Sequence, residues 1–453
     1  MKKMYYVLFF LVILAFSCSK DDVLNTDQDF VRLSGNAALK AYGDVIKVYP
    51  GPNDTQTIID AFTLAKTFGK NVVVKLMPGT FKIGMIEVRE FFGTITGSGK
   101  GKSIITNIPD LTPDRVIGQN KLPALITFIG GNVLVSDLSV ILSEGLSWIG
   151  QYEMSMLLFS DYSADFTPVK KHICVNLNNL EVSCIQQFNY PWDSFYGAKF
   201  APDMLNPAGN TLIPRSNIDA TVTNSKFSNL SVGLRVRGCK SGNFRFGEGG
   251  GNIFSENIGS LFVQENMGVT VKIMKNEFNT PDNRAAIDLN AYEWGIFEYV
   301  LSKVGTFEIR NNIFNNHLGS NGFGLYDNWR YDHPENPDYM KMIWDHNTFN
   351  DLADGAGMGN MFGIKNAIFS NNKIVGVVQG GYLRVWGSWL ADDDPNYLLL
   401  WTENCKFLNN LFLQKDFVIE LKPTTKNCLI MGDLRNVIVN NFGVNNKVIG
   451  ITH

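Results

Sequence analysis

Hydrophobic and polar residues alternate over short stretches along most of the chain, and a similar polar corner interrupts them repeatedly. The corner is an asparagine followed within a few residues by a phenylalanine, as in "RNNIFNN" and "DHNTFND". Neighbouring copies are about twenty to forty residues apart, a spacing typical of solenoid repeats. The pattern occurs at Phe227, Phe254, Phe278, Phe314, Phe349, Phe369 and Phe407.

Each copy is flanked by two strands that are too short to bury a face alone. One precedes the asparagine, as in "VTVKIMKN" and "TFEIRNN", and the other follows the phenylalanine, as in "GLRVRG" and "YLRVWG". Strict alternation over such a length predicts a half-buried strand. Because short strands bury their apolar side only when successive coils stack, the repeat predicts a solenoid.

The asparagine and the phenylalanine have different roles in such a stack. Asparagine tolerates a left-handed backbone, and its amide bonds to nearby backbone groups, which suits a tight corner between two strands. Because the corner recurs in each coil, we expect the asparagine side chains to form a ladder. The phenylalanines should point inward and stack on those of neighbouring coils.

The segment before these repeats indicates how the solenoid begins. "GPNDTQTIIDAFTLAKTFGKNVVVKLMPGTFKIG" predicts a short helix, Thr55 to Phe68, followed by a strand and the first coil. Together with the Asn-Phe corners, it resembles the right-handed parallel β-helix proteins of the pectate lyase superfamily. The resemblance implies an all-β fold: a single-stranded right-handed parallel β-helix with a short N-terminal capping helix. The Gly-rich "GSGKGKS" lacks the spacing of a phosphate-binding loop, so we interpret it as a turn between strands.

The first residues are typical of a targeting segment. Lys2 and Lys3 precede an apolar run, Tyr5 to Phe16, that is too short to span a bilayer comfortably. The segment resembles a bacterial lipoprotein signal, which implies cleavage before Cys18 and lipidation of that residue; an ordinary secretory signal is the alternative. The following "SKDD" resembles the acidic tag of surface lipoproteins.

Three segments are therefore expected: a lipoprotein signal peptide (1–17), a flexible linker (18–44) and a parallel β-helix domain (45–453). The protein should be lipid-anchored in the outer membrane at the cell surface, with the lipid on Cys18 as its only membrane contact.

The composition argues against one class of partner, nucleic acid, and against two kinds of cysteine site. The chain has 40 basic and 43 acidic residues, and its basic residues are not clustered, so nucleic acid is not an expected partner. The five cysteines after Cys18 are odd in number and form no Cys-x-x-Cys motif, which argues against a disulfide framework or a zinc site. Buried single cysteines are expected, with a Cys174–Cys184 bridge as the alternative.

One face of the strands that follow the phenylalanines collects polar and aromatic residues. Alternation turns Leu234 and Val236 inward, so that Arg235 and its neighbour Arg237 face out. Extending this register predicts one outward stripe of Arg237, Gln264, Asp288, Tyr326, Arg384 and Trp386, with Asn290 beside Asp288. Three insertions, which include Trp294 and Trp329, leave the same edge of the sheet and would wall the stripe into a groove: residues 291–303, 328–340 and 388–396.

A groove with carboxylates, guanidinium groups and aromatic rings suits a polysaccharide. The predicted substrate-binding residues are Gln264, Asn290, Trp294, Trp329 and Trp386. The predicted catalytic residues are Asp288, Arg237, Arg384 and Tyr326. A glycosidase needs two carboxylates, which Asp288 could supply with Glu293, Asp327 or Asp332. A uronate lyase needs a base and a cation or arginine that neutralises the substrate carboxylate. The resemblance implies that the base is often a lysine or an arginine, so Arg237 or Arg384 could serve.

No cofactor and no metal site are expected. Ca²⁺ is the alternative left open, because "DHNTFNDLADG" contains Asp345, Asp351 and Asp354. The sequence thus favours a lipid-anchored surface protein that binds an extracellular polysaccharide, with cleavage as a lyase or glycoside hydrolase left open. The alternative is a non-catalytic glycan-binding or adhesive surface protein.

Overall fold

The structure is a computed structural model, and it describes residues 39–452 with gaps. The gaps are residues 110, 112–123, 144–153, 164–166, 186–194, 203–214, 265, 267, 280–286, 291–304, 316–320, 327–340, 351, 353–356, 377–379 and 387–400. The signal peptide and Cys18 lie outside the described residues. No helix in the described part is long and apolar enough to cross a membrane.

Three long sheets run along the molecule, and neighbouring strands in each sheet come from successive coils. The described strands pair in parallel, except that Leu39–Tyr42 and Val45–Val48 form an antiparallel pair. The described strands of sheet 1 are Leu39–Tyr42, Val45–Val48, Val72–Leu76, Phe92–Thr96, Asn132–Ser136, Ile173–Asn178, Ser216–Thr223, Cys239–Phe246, Gly268–Met274, Thr306–Arg310, Lys341–Asp345, Ile368–Ser370, Lys406–Leu408, Leu429–Asp433 and Lys447–Ile451.

The other two sheets are built in the same way. The described strands of sheet 2 are Gly79–Ile83, Ser103–Asn107, Ser139–Leu142, Glu181–Cys184, Lys226–Ser228, Ile253–Ser255, Glu277–Asn279, Ile313–Asn315, Thr348–Asn350, Lys373–Val375 and Leu411–Phe412. The described strands of sheet 3 are Ile86–Arg89, Ala124–Ile129, Met154–Ser160, Phe195–Phe200, Val232–Arg237, Gly259–Gln264, Ile287–Asn290, Asn321–Tyr326, Gly357–Phe362, Tyr382–Trp386, Phe417–Leu421 and Val437–Asn441. A short parallel pair joins Thr402–Glu403 to Thr425–Lys426.

The chain visits the sheets in a fixed order, as the coil from Ser216 illustrates. Ser216–Thr223 lies in sheet 1, Lys226–Ser228 in sheet 2 and Val232–Arg237 in sheet 3, and Cys239–Phe246 then returns to sheet 1. This arrangement confirms the predicted all-β, parallel β-helix fold. Leu39–Tyr42 lies within the stretch that the sequence analysis assigned to the linker, so regular structure begins before residue 45.

A single helix in the described part, Asp54–Phe68, closes the N-terminal end of the core. The Asn53 side chain caps its first turn, while the Asp54 carboxylate accepts hydrogen bonds from the Gly51 and Lys82 backbone N–H groups. Its buried face presents Phe62 to the first coils, where the ring packs edge-on against Phe91 at 5.0 Å. The predicted capping helix is confirmed.

The corner between sheet 1 and sheet 2 contains the predicted asparagine ladder. Six buried asparagines occupy equivalent positions in successive coils: Asn252, Asn276, Asn312, Asn347, Asn372 and Asn410. Each side-chain amide donates to the Oδ1 atom of the next asparagine, at 2.9–3.1 Å, as far as Asn410. The asparagine of the ladder is not the residue with the left-handed backbone. The positive φ belongs to the residue just before it, as at Asn311 (φ 56°) and His346 (φ 57°).

Beside this ladder, aromatic rings stack inside the cylinder. In sheet 2 a column of parallel rings has centroid separations of 4.5–5.4 Å and contains Phe227, Phe254, Phe278, Phe314 and Phe349. Phe369 and Phe407 also point inward and stack on each other, as expected, but they do so beside Trp344 in sheet 1 and not in the sheet 2 column. In their coils the corner is made by the following Asn pair, and Ile374 and Phe412 take the sheet 2 position.

The cysteines answer the question of a disulfide that the sequence left open. The described cysteines form no disulfides, so the Cys174–Cys184 bridge is absent; four of them are buried, and Cys174 is partly exposed.

The Gly-rich segment joins a sheet 1 strand to a sheet 2 strand, as expected for a turn. At Gly97 a side chain has no room, since a Cβ atom would lie 2.3 Å from the Asp137 carbonyl oxygen.

Candidate functional site

The outward face of sheet 3 brings distant polar residues into register. Paired Cα positions run from Arg237 through Gln264, Asn290, Tyr326 and Phe362 to Trp386. We call this row of positions the outer line. For Ile287–Asn290 and Asn321–Tyr326 the backbone defines this register. The predicted residues of this line thus occupy five of six consecutive coils, and Phe362 occupies the other.

A second row lies two residues earlier in each strand. It passes from Arg235 through Phe262, Asp288, Gly324 and Asn360 to Arg384 and Glu420. We call it the inner line. Asp288 and Arg384 therefore belong to the inner line, and Arg237 to the outer line, so the single predicted stripe is two adjacent rows.

The spacing of parallel strands sets the length of this face. Five steps separate the strand of Arg237 from that of Trp386. At about 4.8 Å per step, they span roughly 24 Å. Asp288 lies two strands from Arg235 and three from Arg384, which corresponds to roughly 10 and 14 Å along the sheet. The register thus gives an elongated surface rather than a compact pocket.

The end of the face near Trp386 combines aromatic rings with paired charges. Leu383 and Val385 are buried, and Arg384 is 41% exposed, as the alternation predicted. The Arg384 guanidinium lies 4.0 Å from the Tyr382 ring centroid, and its Nε atom is 3.5 Å from the Glu420 carboxylate. These contacts hold a cation against an aromatic ring on an accessible surface.

Glu420 is shared between two cations. Its other carboxylate oxygen lies 2.7 Å from Lys422 Nζ, and that ammonium group is 5.0 Å from the centroid of the partly exposed Trp386 ring. Glu420, Lys422 and Tyr382 were not among the residues predicted from the sequence. The alternation in "FVIEL" would have indicated Glu420, had this strand been aligned with "YLRVW".

A similar group lies at the turn that follows this face. Lys426 Nζ is 5.3 Å from the Trp401 ring centroid and 3.2 Å from the Glu403 carboxylate, which Lys365 also approaches at 3.9 Å. The neighbouring Thr402 hydroxyl donates to the Trp386 carbonyl oxygen, which ties this turn to the strand that carries Trp386.

The opposite end of the face is covered, which corrects one prediction. Arg235, expected to face solvent, is 1% exposed; its guanidinium contacts the Tyr196 hydroxyl and lies 4.9 Å from that ring's centroid. Lys199, the neighbour of Arg235 in register, is also buried and lies 5.2 Å from the same ring. Phe262 packs in a small apolar cluster outside the main core. Arg237, at the strand end, is partly exposed.

A buried carboxyl lies just beyond the strand Met154–Ser160. Burial raises the pKa of Asp161, although the Asn217 N–H donates to its carboxylate at 2.8 Å. Because the folded-state pKa exceeds that of the unfolded chain, this group's contribution to stability falls as pH rises from about 3.8 through the folded-state pKa. Asp161 is fully buried, so we assign it a structural role.

The carboxylate offered for calcium is engaged within the protein. Asp345 accepts hydrogen bonds from Arg310, Ser370 and Asn371 at 2.8–3.0 Å and lies 2.9 Å from His346. Burial alone would raise the pKa of Asp345, but the hydrogen bonds from Asn371, His346 and Ser370 lower it on balance. The other two aspartates of this alternative, Asp351 and Asp354, lie outside the described residues.

The predicted walls of the groove also lie outside the described residues. They are the three insertions, residues 291–303, 328–340 and 388–396, and they include Trp294 and Trp329. The chain enters two of these insertions directly after Ile287–Asn290 and Tyr382–Trp386, both of which end at the same edge of sheet 3. The candidate site is therefore defined by sheet 3 itself.

Comparison with known proteins finds distant likeness among solved structures only. No protein-family model matches the chain, and no curated protein matches it. Among solved structures, it is similar to the A-module of a mannuronan C-5 epimerase from Azotobacter vinelandii, with 10% identity, a TM-score of 0.44, and coverage of 89% of this chain and 96% of that chain.

Two further solved structures show a similar degree of likeness. DFA-IIIase from Arthrobacter chlorophenolicus A6 is 10% identical, with a TM-score of 0.41 and coverage of 92% of this chain and 93% of that chain. The surface adhesin PfbA of Streptococcus pneumoniae is 13% identical, with a TM-score of 0.38 and coverage of 86% and 89%. At these identities the likeness concerns the fold alone.

Proposed function

We propose that the outward face of sheet 3 binds an extracellular polysaccharide. The observation that carries the proposal is the register, which aligns Arg237, Gln264, Asn290, Tyr326 and Trp386 on one row over six coils, with Phe362 between the last two. A row with one polar or aromatic residue position in nearly every coil matches a linear polymer whose units repeat along its length. It offers little to a compact ligand.

The accessible end of the face supplies the chemistry that sugars use. Aromatic rings stack on the C–H faces of sugar rings, while guanidinium groups bind hydroxyls or pair with a uronate carboxylate. At this end Trp386 and Tyr382 provide rings, and Arg384 and Lys422 provide cations. Since both cations also contact Glu420, a carboxylate-bearing sugar would compete with Glu420 for them.

Replacement of Trp386 by alanine should weaken polysaccharide binding about tenfold, because one aromatic contact worth about 1.4 kcal/mol is lost. Isothermal titration calorimetry against the polysaccharide that the wild type binds best, chosen from a panel of acidic and neutral polymers, measures the effect. Phe68→Ala is the matched control, since Phe68 is an exposed aromatic residue at the end of the capping helix. Equal affinities for wild type and Trp386→Ala would contradict the proposal.

Cleavage of the bound polymer is a second candidate function. The observation that favours it is the position of Asp288 on the inner line, between Arg235 and Arg384 and one strand from Tyr326. If a polymer bound along this face it would pass the Asp288 position, where a carboxyl group could act as a general acid or base. Unsaturated products together with new reducing ends would indicate a lyase, whereas new reducing ends without unsaturated products would indicate a hydrolase. All of these products should disappear in Asp288→Asn.

We also propose that the protein acts at the cell surface, anchored by lipid on Cys18. The support is the order of basic, apolar and cysteine residues in the first eighteen positions. Labelled palmitate should enter the wild type but not Cys18→Ala, and proteinase K should digest the wild type on intact cells. Absence of label from the wild type would exclude the anchor.

A further inference from the structure

Three potential metal ligands converge on the outward face of sheet 1, away from the candidate glycan-binding face. Cys174 and Asp219 are paired neighbours on the adjacent strands Ile173–Asn178 and Ser216–Thr223, and His172 precedes the first of these strands. The His172 nitrogen, the Cys174 sulfur and an Asp219 oxygen all lie within 4.8 Å of one another. All three side chains are at least partly exposed to solvent.

We propose that His172, Cys174 and Asp219 bind a divalent transition metal ion, with Zn²⁺ as the best match. Imidazole nitrogen, thiolate sulfur and carboxylate oxygen are the three ligand types of protein zinc sites, at about 2.0–2.3 Å from the metal. Two ligands at such distances lie roughly 3–4 Å apart in a tetrahedral site. The donor atoms therefore need only small side-chain rotations to close around an ion.

The His172–Asp219 pair already has the required separation. His172 Nε2 lies 3.1 Å from Asp219 Oδ2, so an ion placed between them would replace a hydrogen bond with two coordinate bonds. The other carboxylate oxygen, Oδ1, accepts hydrogen bonds from the backbone N–H and the side-chain amide of Asn243, at 2.7 and 3.0 Å. Partners of this kind orient ligands in metal sites.

The backbone of Cys174 is also held in place by hydrogen bonds. Its N–H donates to Asn132 Oδ1 at 3.0 Å, and its strand pairs with strands on both sides. Lys170, which precedes the strand Ile173–Asn178, donates to the Asn132 side chain at 3.3 Å and lies 4.3 Å from the Phe92 ring centroid. A rigid sheet thus presents the sulfur and carboxylate ligands at a fixed separation.

The ligand set selects the class of ion. Ca²⁺ and Mg²⁺ prefer oxygen ligands, whereas thiolate and imidazole favour Zn²⁺ and neighbouring transition metals. Three protein ligands leave a fourth position for water or another ligand. Because the thiolate is the ligand, binding at neutral pH displaces the thiol proton from Cys174 into solvent.

A second His–Asp pair on sheet 1 provides a matched control. His346 Nδ1 lies 2.9 Å from Asp345 Oδ2, but no cysteine belongs to this pair, and His172, Cys174 and Asp219 are the one three-residue cluster of potential ligands within the described residues. If a surface His–Asp pair sufficed, His346→Asn and His172→Asn would affect metal binding equally. The proposal requires that only His172→Asn weakens it.

The test is a Co²⁺ titration of the reduced, detergent-solubilised full-length protein, with Co²⁺ as a spectroscopic substitute for Zn²⁺. The wild type should develop a sulfur-to-cobalt charge-transfer band that Zn²⁺ abolishes. Cys174→Ser should lose the band, His172→Asn and Asp219→Asn should raise the Co²⁺ Kd at least about tenfold, and His346→Asn should leave it unchanged. A wild-type protein without the band, or a band retained in Cys174→Ser, would overturn the proposal.

A measurement on the wild type alone avoids any effect of the substitutions on folding. Zn²⁺ should slow alkylation of Cys174 by iodoacetamide at least about tenfold, since a coordinated thiolate is a weaker nucleophile. Peptide mass spectrometry identifies the alkylated cysteine. Alkylation of Cys174 at the same rate with and without Zn²⁺ would equally overturn the proposal. Loss of the metal site would leave the polysaccharide proposal untouched, because sheet 1 and sheet 3 are different faces.

Discussion

Asn312→Ala should lower the free energy of unfolding by about 3 kcal/mol or more, since several buried polar groups lose their partners at once. Asn312 Oδ1 accepts from the backbone N–H and the side-chain amide of Asn276, at 2.9 and 3.1 Å. Its Nδ2 donates to the Ile273 carbonyl oxygen and to Asn347 Oδ1, at 2.8 and 2.9 Å. Alanine can replace none of these four bonds. Guanidinium chloride unfolding followed by circular dichroism measures the loss.

The neighbouring residue supplies the control for this ladder. Asn311 is exposed and has a φ of 56°, a conformation that glycine adopts without strain. Asn311→Gly should therefore change stability by about 0.5 kcal/mol or less. If Asn312→Ala proved as mild as Asn311→Gly, the ladder would not be a source of stability. The pair of variants separates the ladder position from the left-handed position, which the sequence pattern had assigned to one asparagine.

That separation shows how far the sequence could predict the fold. Asn-Asn doublets at 311–312, 371–372 and 409–410 contain one residue for the turn and one for the ladder. In other coils a lysine or histidine takes the left-handed position, as at Lys275 and His346. Local pattern therefore predicted that a ladder exists. The assignment of roles depends on backbone conformation, which residue type determines only weakly.

The phase of the repeat was predictable for most coils and ambiguous in two. "NAIFSNNKI" contains an Asn-x-x-Phe unit and an Asn-Asn-x-Ile unit within nine residues, and both fit the corner pattern. The structure places Phe369 in sheet 1 and Ile374 in sheet 2. Only the pairing with the preceding coil resolves this choice, because either register turns an apolar side chain inward.

Alternation of apolar and polar residues predicted the candidate site correctly only where the outward side of sheet 3 is exposed to solvent. Arg384 and Trp386 follow buried neighbours and face outward as predicted. Arg235 has the same alternation but is buried, since alternation gives the direction of a side chain and not what covers it. The sequence does not indicate that His172, Cys174 and Asp219 are neighbours. They are brought together by strand pairing between residues more than forty positions apart.

Phe314→Ala should destabilise the protein by about 3–5 kcal/mol, the range for removal of a buried phenylalanine side chain. The ring is fully buried and lies between Phe278 and Phe349, with centroid separations of 4.9 and 4.5 Å and nearly parallel planes. The cavity would open in the middle of a column, where the neighbouring rings are held by their own coils and cannot collapse into it. Thermal unfolding and guanidinium chloride midpoints should both fall.

Two further variants distinguish the column from simple burial. Phe442→Ala, at a residue 60% exposed on a late coil, should alter stability by about 0.5 kcal/mol or less. A double-mutant cycle of Phe314→Ala and Phe349→Ala should give a coupling of about 0.5–1.5 kcal/mol, the contribution of an aromatic pair beyond its buried area. Additive effects would mean that the rings act as independent hydrophobic groups. A coupling of this size would mean that each coil stabilises the next one through its ring, so that damage to one coil also weakens its neighbours.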